Sequence, residues 1–408
     1  MNVEKQNSES NVSFYNKLFP KLFSTAKGSY IRTNEGNDYL DFFCGAGSLN
    51  YGHNNEAMKN AVIAYISNDG IINSLDMLTE AKYNFIKKFN EVILKPRKME
   101  YKMQFTGPTG TNAVEAALKL ARKYTGREKI IYFQHSFHGM TYGSMSISGI
   151  KNKKLNADYK KHVVEMPYAD HPDSIDTLGN YLASCDANHL PAAVILETIQ
   201  AEGGVKVAPK EWLENVAALA KKYEILLIVD EIQTGCGRTG TFFSFEIADI
   251  APDIVCLSKS LSGYGLPLSV NLIKPEIDCW TPGEHNGTFR GNNLAFITAM
   301  TALDYWKTEE FAADIQKKSA IIDAFFKENG IELRGRGLMK AFKSENEEIN
   351  NEIQNIIFYN GVLVDVCGHE NNFVKIMPPL TISETDLRIG LNQVLQSIQQ
   401  SRLATKKY

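Results

Sequence analysis

Few cysteines, no long apolar run and almost no charge imbalance mark this 408-residue sequence, and each shortage excludes a class of protein. Its six cysteines (Cys44, Cys185, Cys236, Cys256, Cys279 and Cys367) are scattered with no C-x-x-C pair. A disulfide-stapled scaffold and a thiolate zinc site are therefore not indicated. No stretch approaches the roughly 20 apolar residues that cross a bilayer, so no membrane partner is expected. Lys and Arg number 44 against 47 Asp and Glu, a net charge of -3. That balance offers no basic patch or tail for nucleic acid. The opening residues MNVEKQNSESNVSFYNK lack the apolar core of a secretory signal, which points to the cytoplasm. Pro-rich linkers, charge blocks and internal repeats are missing too, so nothing cuts the chain into independent modules.

What is present reads as α/β. Short β-branched runs (Lys129-IIYF, Ala192-AVILET, Ile225-LLIVDEI, Asp253-IVCLSK and Leu268-SVNLIK) alternate with amphipathic stretches, the pattern of a mostly parallel sheet covered by helices. Glu211-WLENVAALAKKY sets Leu213, Val216, Ala217 and Ala220 on one helical face, and Thr111-NAVEAALKLARKY does the same with Val114, Ala117, Leu118 and Ala121. The last hundred residues carry more Lys, Glu and Asn. The expected division is a large domain over 66–308 and a smaller α+β domain built from both chain ends, 1–65 and 309–408.

Asp230 ends one expected strand and Lys259 the next. Strand C-termini of an open parallel sheet share one edge, where ligands bind, so these side chains can converge across the 259 − 230 = 29 positions between them. A lysine that forms a Schiff base with an aldehyde, opposite a carboxylate that keeps a pyridine nitrogen protonated, suits pyridoxal phosphate. Taken alone, the same two residues more commonly form a surface ion pair. Gly107-Pro-Thr-Gly-Thr111 leads into a helix whose unpaired N–H groups and dipole favour an anion, or it is simply a capped helix. Phe137-His138-Gly139 follows a strand, so the Phe137 ring could lie on a pyridine face or in the core. His135 and His138 spell H-x-x-H without a third ligand at metal spacing, and no metal is expected. Gly235-Cys-Gly-Arg-Thr-Gly240 has the dinucleotide spelling, but aromatic Thr241-FFSFE stands where a helix should start, so it reads as a loop. In Ser258-Lys-Ser260, neighbouring side chains on a strand end point apart, which argues against a Ser/Lys dyad.

Taken together and in this order, from about Tyr30 to Leu380, these motifs resemble the class III aminotransferases, fold type I enzymes dependent on pyridoxal 5′-phosphate. The resemblance implies that Gly110 and Thr111 contact the phosphate and that Phe137, beside His138, stacks on the cofactor. It implies that Asp230 meets the pyridine nitrogen, Ile232 packs on the other ring face, Gln233 approaches the ring hydroxyl and Lys259 is the Schiff-base lysine. Thr288, in Asn286-GTFRGNN, matches the threonine that reaches the phosphate of a neighbouring subunit, so a homodimer is the implied minimal unit, with a tetramer left open. Longer strings, among them Phe43-CGAGSLNYGHNN, Gly70-IINSLDMLTEAK and Pro282-GEHNGTFRGNN, are similar to one subgroup. That likeness implies amino transfer from glutamate to the terminal aldehyde of aspartate 4-semialdehyde, with small-molecule amino and oxo acids as the partners. Other ω-aminotransferases, acting on ornithine, acetylornithine or 4-aminobutyrate, and an aminomutase remain the alternatives. Glu197 and Glu202 are the implied substrate-facing carboxylates. In ornithine-type relatives the second of these pairs with an arginine, whereas here that position is Lys375, a point charge without the planar fork.

Overall fold

The computed structural model describes residues 9–149 and 160–405. The five apolar runs form five strands of a seven-stranded sheet, ordered Lys102–Gly107, Ser269–Ile273, Ile254–Leu257, Leu226–Asp230, Ala193–Leu196, Ile130–Phe133 and Val163–Met166. Ser269–Ile273 runs antiparallel to both its neighbours, and the other pairings are parallel. Every residue of the five foreseen strands is buried, because helices cover both faces. The period of two sorts their side chains into two cores. Ile131, Val194, Leu227, Val229 and Val255 enter one, and Ile130, Ile195, Leu226, Ile228 and Ile254 the other.

The helix Gly110–Thr125 lays Ala113, Val114, Ala117, Leu118 and Ala121 on this second core and stops at Gly126, which takes the left-handed conformation at φ 69°. Lys210–Lys222 covers the opposite face through Leu213, Val216 and Ala220; Trp212 joins them, while Ala217 stays half-buried. Residues 235–240 form turns that open no α-helix; only a single 3-10 turn follows, at Ser244–Ile247. Arg238 from this loop is fully buried, its guanidinium donating to Asn50 Oδ1, Leu338 O and Pro378 O.

Both ends of the chain meet in smaller sheets. Phe23–Lys27, Tyr30–Thr33 and Asp38–Asp41 are extended by Val362–Leu363, which lies parallel to Asp38–Asp41. A second sheet joins Leu333–Arg336, Met339–Lys343, Phe373–Ile376 and Asp365–Cys367, and the chain closes on the helix Glu384–Thr405. The architecture is thus α/β with a mostly parallel central sheet and smaller sheets drawn from both ends. No described helix is long and apolar enough to cross a membrane.

Candidate active site

Asp230 and Cys256 lie opposite each other on adjacent parallel strands, so Lys259, three residues past Cys256, emerges at the same sheet edge as Asp230. The serines around it work as anchors. Ser258 Oγ donates to Leu268 O at 2.9 Å and Ser260 Oγ to Gly47 O at 2.8 Å, pinning the backbone on both sides of a lysine held at φ 48°. Neither hydroxyl forms a dyad with the lysine. Lys259 lines a cavity of about 390 Å³ together with Gly110, Thr111, Phe137, His138, Glu197, Glu202, Asp230, Ile232 and Gln233. Residues scattered over 150 positions of sequence are brought to one place by the sheet edge.

The helix start at Gly110 opens onto this cavity. Asn112 Oδ1 accepts from the Thr109 N–H and hydroxyl, which fixes the turn, and Thr111 Oγ1 bonds Ser144 Oγ at 2.6 Å. Glycine is required at 110, since a Cβ there would lie 2.8 Å from the Ile232 side chain. Asp230 is 4% exposed and oriented by two bonds: Oδ2 pairs with His138 Nδ1 at 2.7 Å and Oδ1 accepts the Ile232 N–H at 2.9 Å. Burial opposes a charge on His138, but the hydrogen bond and charge of Asp230 outweigh it and raise its pKa.

Burial sets the direction for Lys259 and Glu197. It pushes Lys259 down to about 8, with the nearby Glu202 carboxylate opposing. Lys259 keeps partial exposure only because it faces the cavity. Glu197 is pushed up to about 7, although its carboxylate accepts the Phe137 N–H at 2.9 Å. Glu202 goes the other way: burial would raise it, yet Lys375 and Lys259 hold it below the usual range. Its Oε1 accepts from Lys375 Nζ at 2.6 Å and Gln233 Nε2 at 3.1 Å. Glu202 sits on the turn between the paired strands Ile199–Gln200 and Lys206–Val207.

Two expected site residues lie elsewhere. Lys375 is fully buried behind Glu202 and is not part of the cavity wall. Thr288 is exposed on a separate loop, fastened where Lys119 donates to Glu284 O at 2.8 Å and Lys123 pairs with the Glu284 carboxylate. His135 packs edge-on against His369 at 4.8 Å, and the described residues hold no metal-ligating cluster. Three contributors had gone unrecognised. His138 as partner of Asp230 depends on a fold-level meeting 92 positions apart and left no local signal. Ser48 enters the wall from a left-handed run, Cys44, Gly45, Ala46 and Gly47, capped by Asp41 Oδ1. Asp365, 3.3 Å from Lys375, did leave a trace: an acid between Val364 and Val366 in an otherwise apolar strand.

The family described as aminotransferase class-III matches residues 15–398 of this chain. The chain belongs to the class III aminotransferases. It is 49% identical to a diaminobutyrate–2-oxoglutarate transaminase of Halalkalibacterium halodurans, covering 98% of this chain and 96% of that one. It is 50% identical to a protein of the same name from Sporosarcina pasteurii, over 96% and 95%. Among solved structures, the ornithine aminotransferase of Toxoplasma gondii superposes with a TM-score of 0.86 at 27% identity, covering 99% of this chain and 94% of that one. As a class III aminotransferase the chain depends on pyridoxal phosphate, and its cavity suits that group. An amine, a carboxylate and a helix N-terminus face one space, and Gln233 Oε1 and His138 Nε2 are buried there without partners among the described residues.

Proposed function

We propose that this chain transfers the amino group of L-glutamate to L-aspartate 4-semialdehyde, giving 2-oxoglutarate and L-2,4-diaminobutyrate. What carries the reading is near-half identity over nearly the whole chain to several transaminases so named, from three genera. The cavity supports it with the parts such a reaction needs. Gly110 and Thr111 would offer first-turn N–H groups to the phosphate, Asp230 would keep a proton on the ring nitrogen, and Ile232 and Phe137 would hold the ring between them. Bound there, the cofactor supplies an electron-accepting ring for the charge that develops at the substrate carbon. Lys259 would hold the cofactor, and its amine, when free, would move the proton at that carbon. A pKa near 8 leaves part of the amine neutral, as a base requires. Gln233 would face the ring hydroxyl, and Glu197, Glu202 and Lys375 would arrange charge around the substrate.

Thr288 lies outside its own cavity, which suits a residue that completes a neighbour's site, so the working unit is a homodimer at least. Asn293 ties this region to residues 70–79 by bonding Ile72 O, Ser74 Oγ and Thr79 Oγ1. Ile71, Ile72, Met77 and Leu78 there, and Phe289 beside Thr288, are exposed and available to a second copy. The expected compartment is the cytoplasm. A panel of acceptors tests the substrate. With glutamate as donor, aspartate 4-semialdehyde should give the highest kcat/KM. A higher value with glutamate 5-semialdehyde, its N-acetyl form or succinate semialdehyde would move the chain to the ornithine, acetylornithine or 4-aminobutyrate reaction.

A further inference from the structure

Asp365 has no task in the mechanism above. It stands opposite Lys375 in the antiparallel pair of Asp365–Cys367 with Phe373–Ile376, so the two side chains share one face of the sheet. Its side chain is 3% exposed; Oδ1 accepts the Val366 N–H, while Oδ2 lies 3.3 Å from Lys375 Nζ. Lys375 therefore has two carboxylates, Glu202 at 2.6 Å and Asp365 at 3.3 Å. They are not equivalent. Glu202 lines the cavity with its side chain 24% exposed, whereas Asp365 is no part of the cavity wall.

The two amino donors of the proposed reaction make different demands on this cluster. Glutamate reacts at a carbon that bears a carboxylate, and diaminobutyrate reacts at a terminal carbon that bears none. Glu202 and Lys259 line the same cavity, so a carboxylate on the carbon that reacts at Lys259 is brought towards that of Glu202. Like charges in a water-poor cavity repel strongly, and Glu202 has to yield its cation to the substrate. Between the departure of Glu202 and the arrival of the substrate carboxylate, Lys375 without another partner would be a lone buried ammonium, which loses either several kcal/mol or its proton. We propose that Asp365 is a positioning residue, which keeps Lys375 charged and in place when Glu202 yields it to the carboxylate of glutamate or 2-oxoglutarate. This rests on the glutamate and diaminobutyrate reading of the function.

The surroundings of Lys375 agree. Burial lowers its proton affinity, but Glu202, Asp365 and Cys367 together raise it above the ordinary lysine range, and Lys259 and Tyr15 are the other titratable groups that sense it. The holoenzyme carrying Asp365→Asn tests the role. Binding of glutarate, an unreactive dicarboxylate, followed by calorimetry should weaken about tenfold at neutral pH. It should weaken further as pH rises to about 9, a dependence absent from the parent chain. KM for glutamate should rise by a similar factor with KM for diaminobutyrate unchanged, and Asp365→Glu should restore much of the difference. Equal changes in both KM values at an unchanged melting temperature, or no change in either, would overturn the proposal. If Asp365→Asn does not fold, the parent holoenzyme decides. Glutarate binding measured in buffers of different ionisation enthalpy should exchange no proton near pH 9, and release of about one proton would show that Lys375 is not held charged. A parent enzyme that makes no diaminobutyrate at all sinks the substrate reading instead, so the two failures are told apart.

Discussion

Lys259 concentrates the chemistry of the site in one side chain, and its replacement gives the sharpest residue-level outcomes. Lys259→Ala should reduce turnover by at least about a thousandfold, read in a steady-state assay with glutamate as donor. The same lysine also makes a stability prediction for the cofactor-free chain. Its pKa falls, chiefly through burial, from 10.5 to about 8. The folded state therefore binds this proton less well than the unfolded chain, and the associated stability is complete above 10.5 and lost as pH falls through about 8. Lys259→Met removes that penalty. The cofactor-free variant should melt above the cofactor-free parent at about pH 7, by an amount on the order of 1 kcal/mol after allowing for the open cavity. The difference should shrink as pH rises from about 8 toward 10.5, and a gap independent of pH would contradict the burial of the amine. Asp230, Lys259, Gly110 and Phe137 were legible in the sequence because strand ends and a helix start mark their positions without knowledge of the fold. The link from His138 to Asp230 was not, because it exists only once two strands and their loops lie side by side.

Among the elements, the buried strands announced themselves and the edges did not. Val163–Met166 and Lys102–Gly107, at the two ends of the sheet order, went unseen because only part of each is buried and their runs mix apolar and charged residues. The reversed direction of Ser269–Ile273 was equally hidden. A strand covered on both faces is apolar throughout whichever way it runs, so its composition carries no sign of direction. The loop 235–240 is the opposite case, because the aromatic run after Gly240 was enough to set its dinucleotide spelling aside. Its Arg238 ties that loop to Asn50, Leu338 and Pro378, segments from three parts of the chain. Arg238→Met keeps much of the volume but leaves two carbonyls and an amide oxygen without donors. It should lower stability by about 3 kcal/mol or more, measured by denaturant unfolding, at about 1 kcal/mol or more for each orphaned acceptor. A loss below about 1 kcal/mol would mean that water reaches these groups.

The whole molecule is the scale at which Thr288 acquires a use. If it serves a neighbouring site, Thr288→Ala should weaken cofactor retention by about tenfold while leaving the melting temperature of the cofactor-free protein unchanged, since the residue is exposed in its own chain. Reassociating Lys259→Ala chains with Thr288→Ala chains should restore a wild-type site in mixed dimers, where an intact lysine meets an intact threonine. Activity that stays at the sum of the two separate variants would place Thr288 outside any partner's site. The near-zero charge balance of the chain fits the same picture. A cavity for small amino acids and oxo acids needs a few placed charges, here Lys259, Glu202 and the Lys375–Asp365 pair behind it, and no basic outer surface.

One measurement bears most directly on the central claim, the transfer of nitrogen from glutamate to aspartate 4-semialdehyde. The purified chain, loaded with pyridoxal phosphate, is incubated with aspartate 4-semialdehyde and glutamate labelled at nitrogen, and the products are identified by mass. The predicted result is stoichiometric 2-oxoglutarate and 2,4-diaminobutyrate with the label confined to its terminal nitrogen. Unlabelled diaminobutyrate, or none while another aldehyde accepts the label, would contradict it.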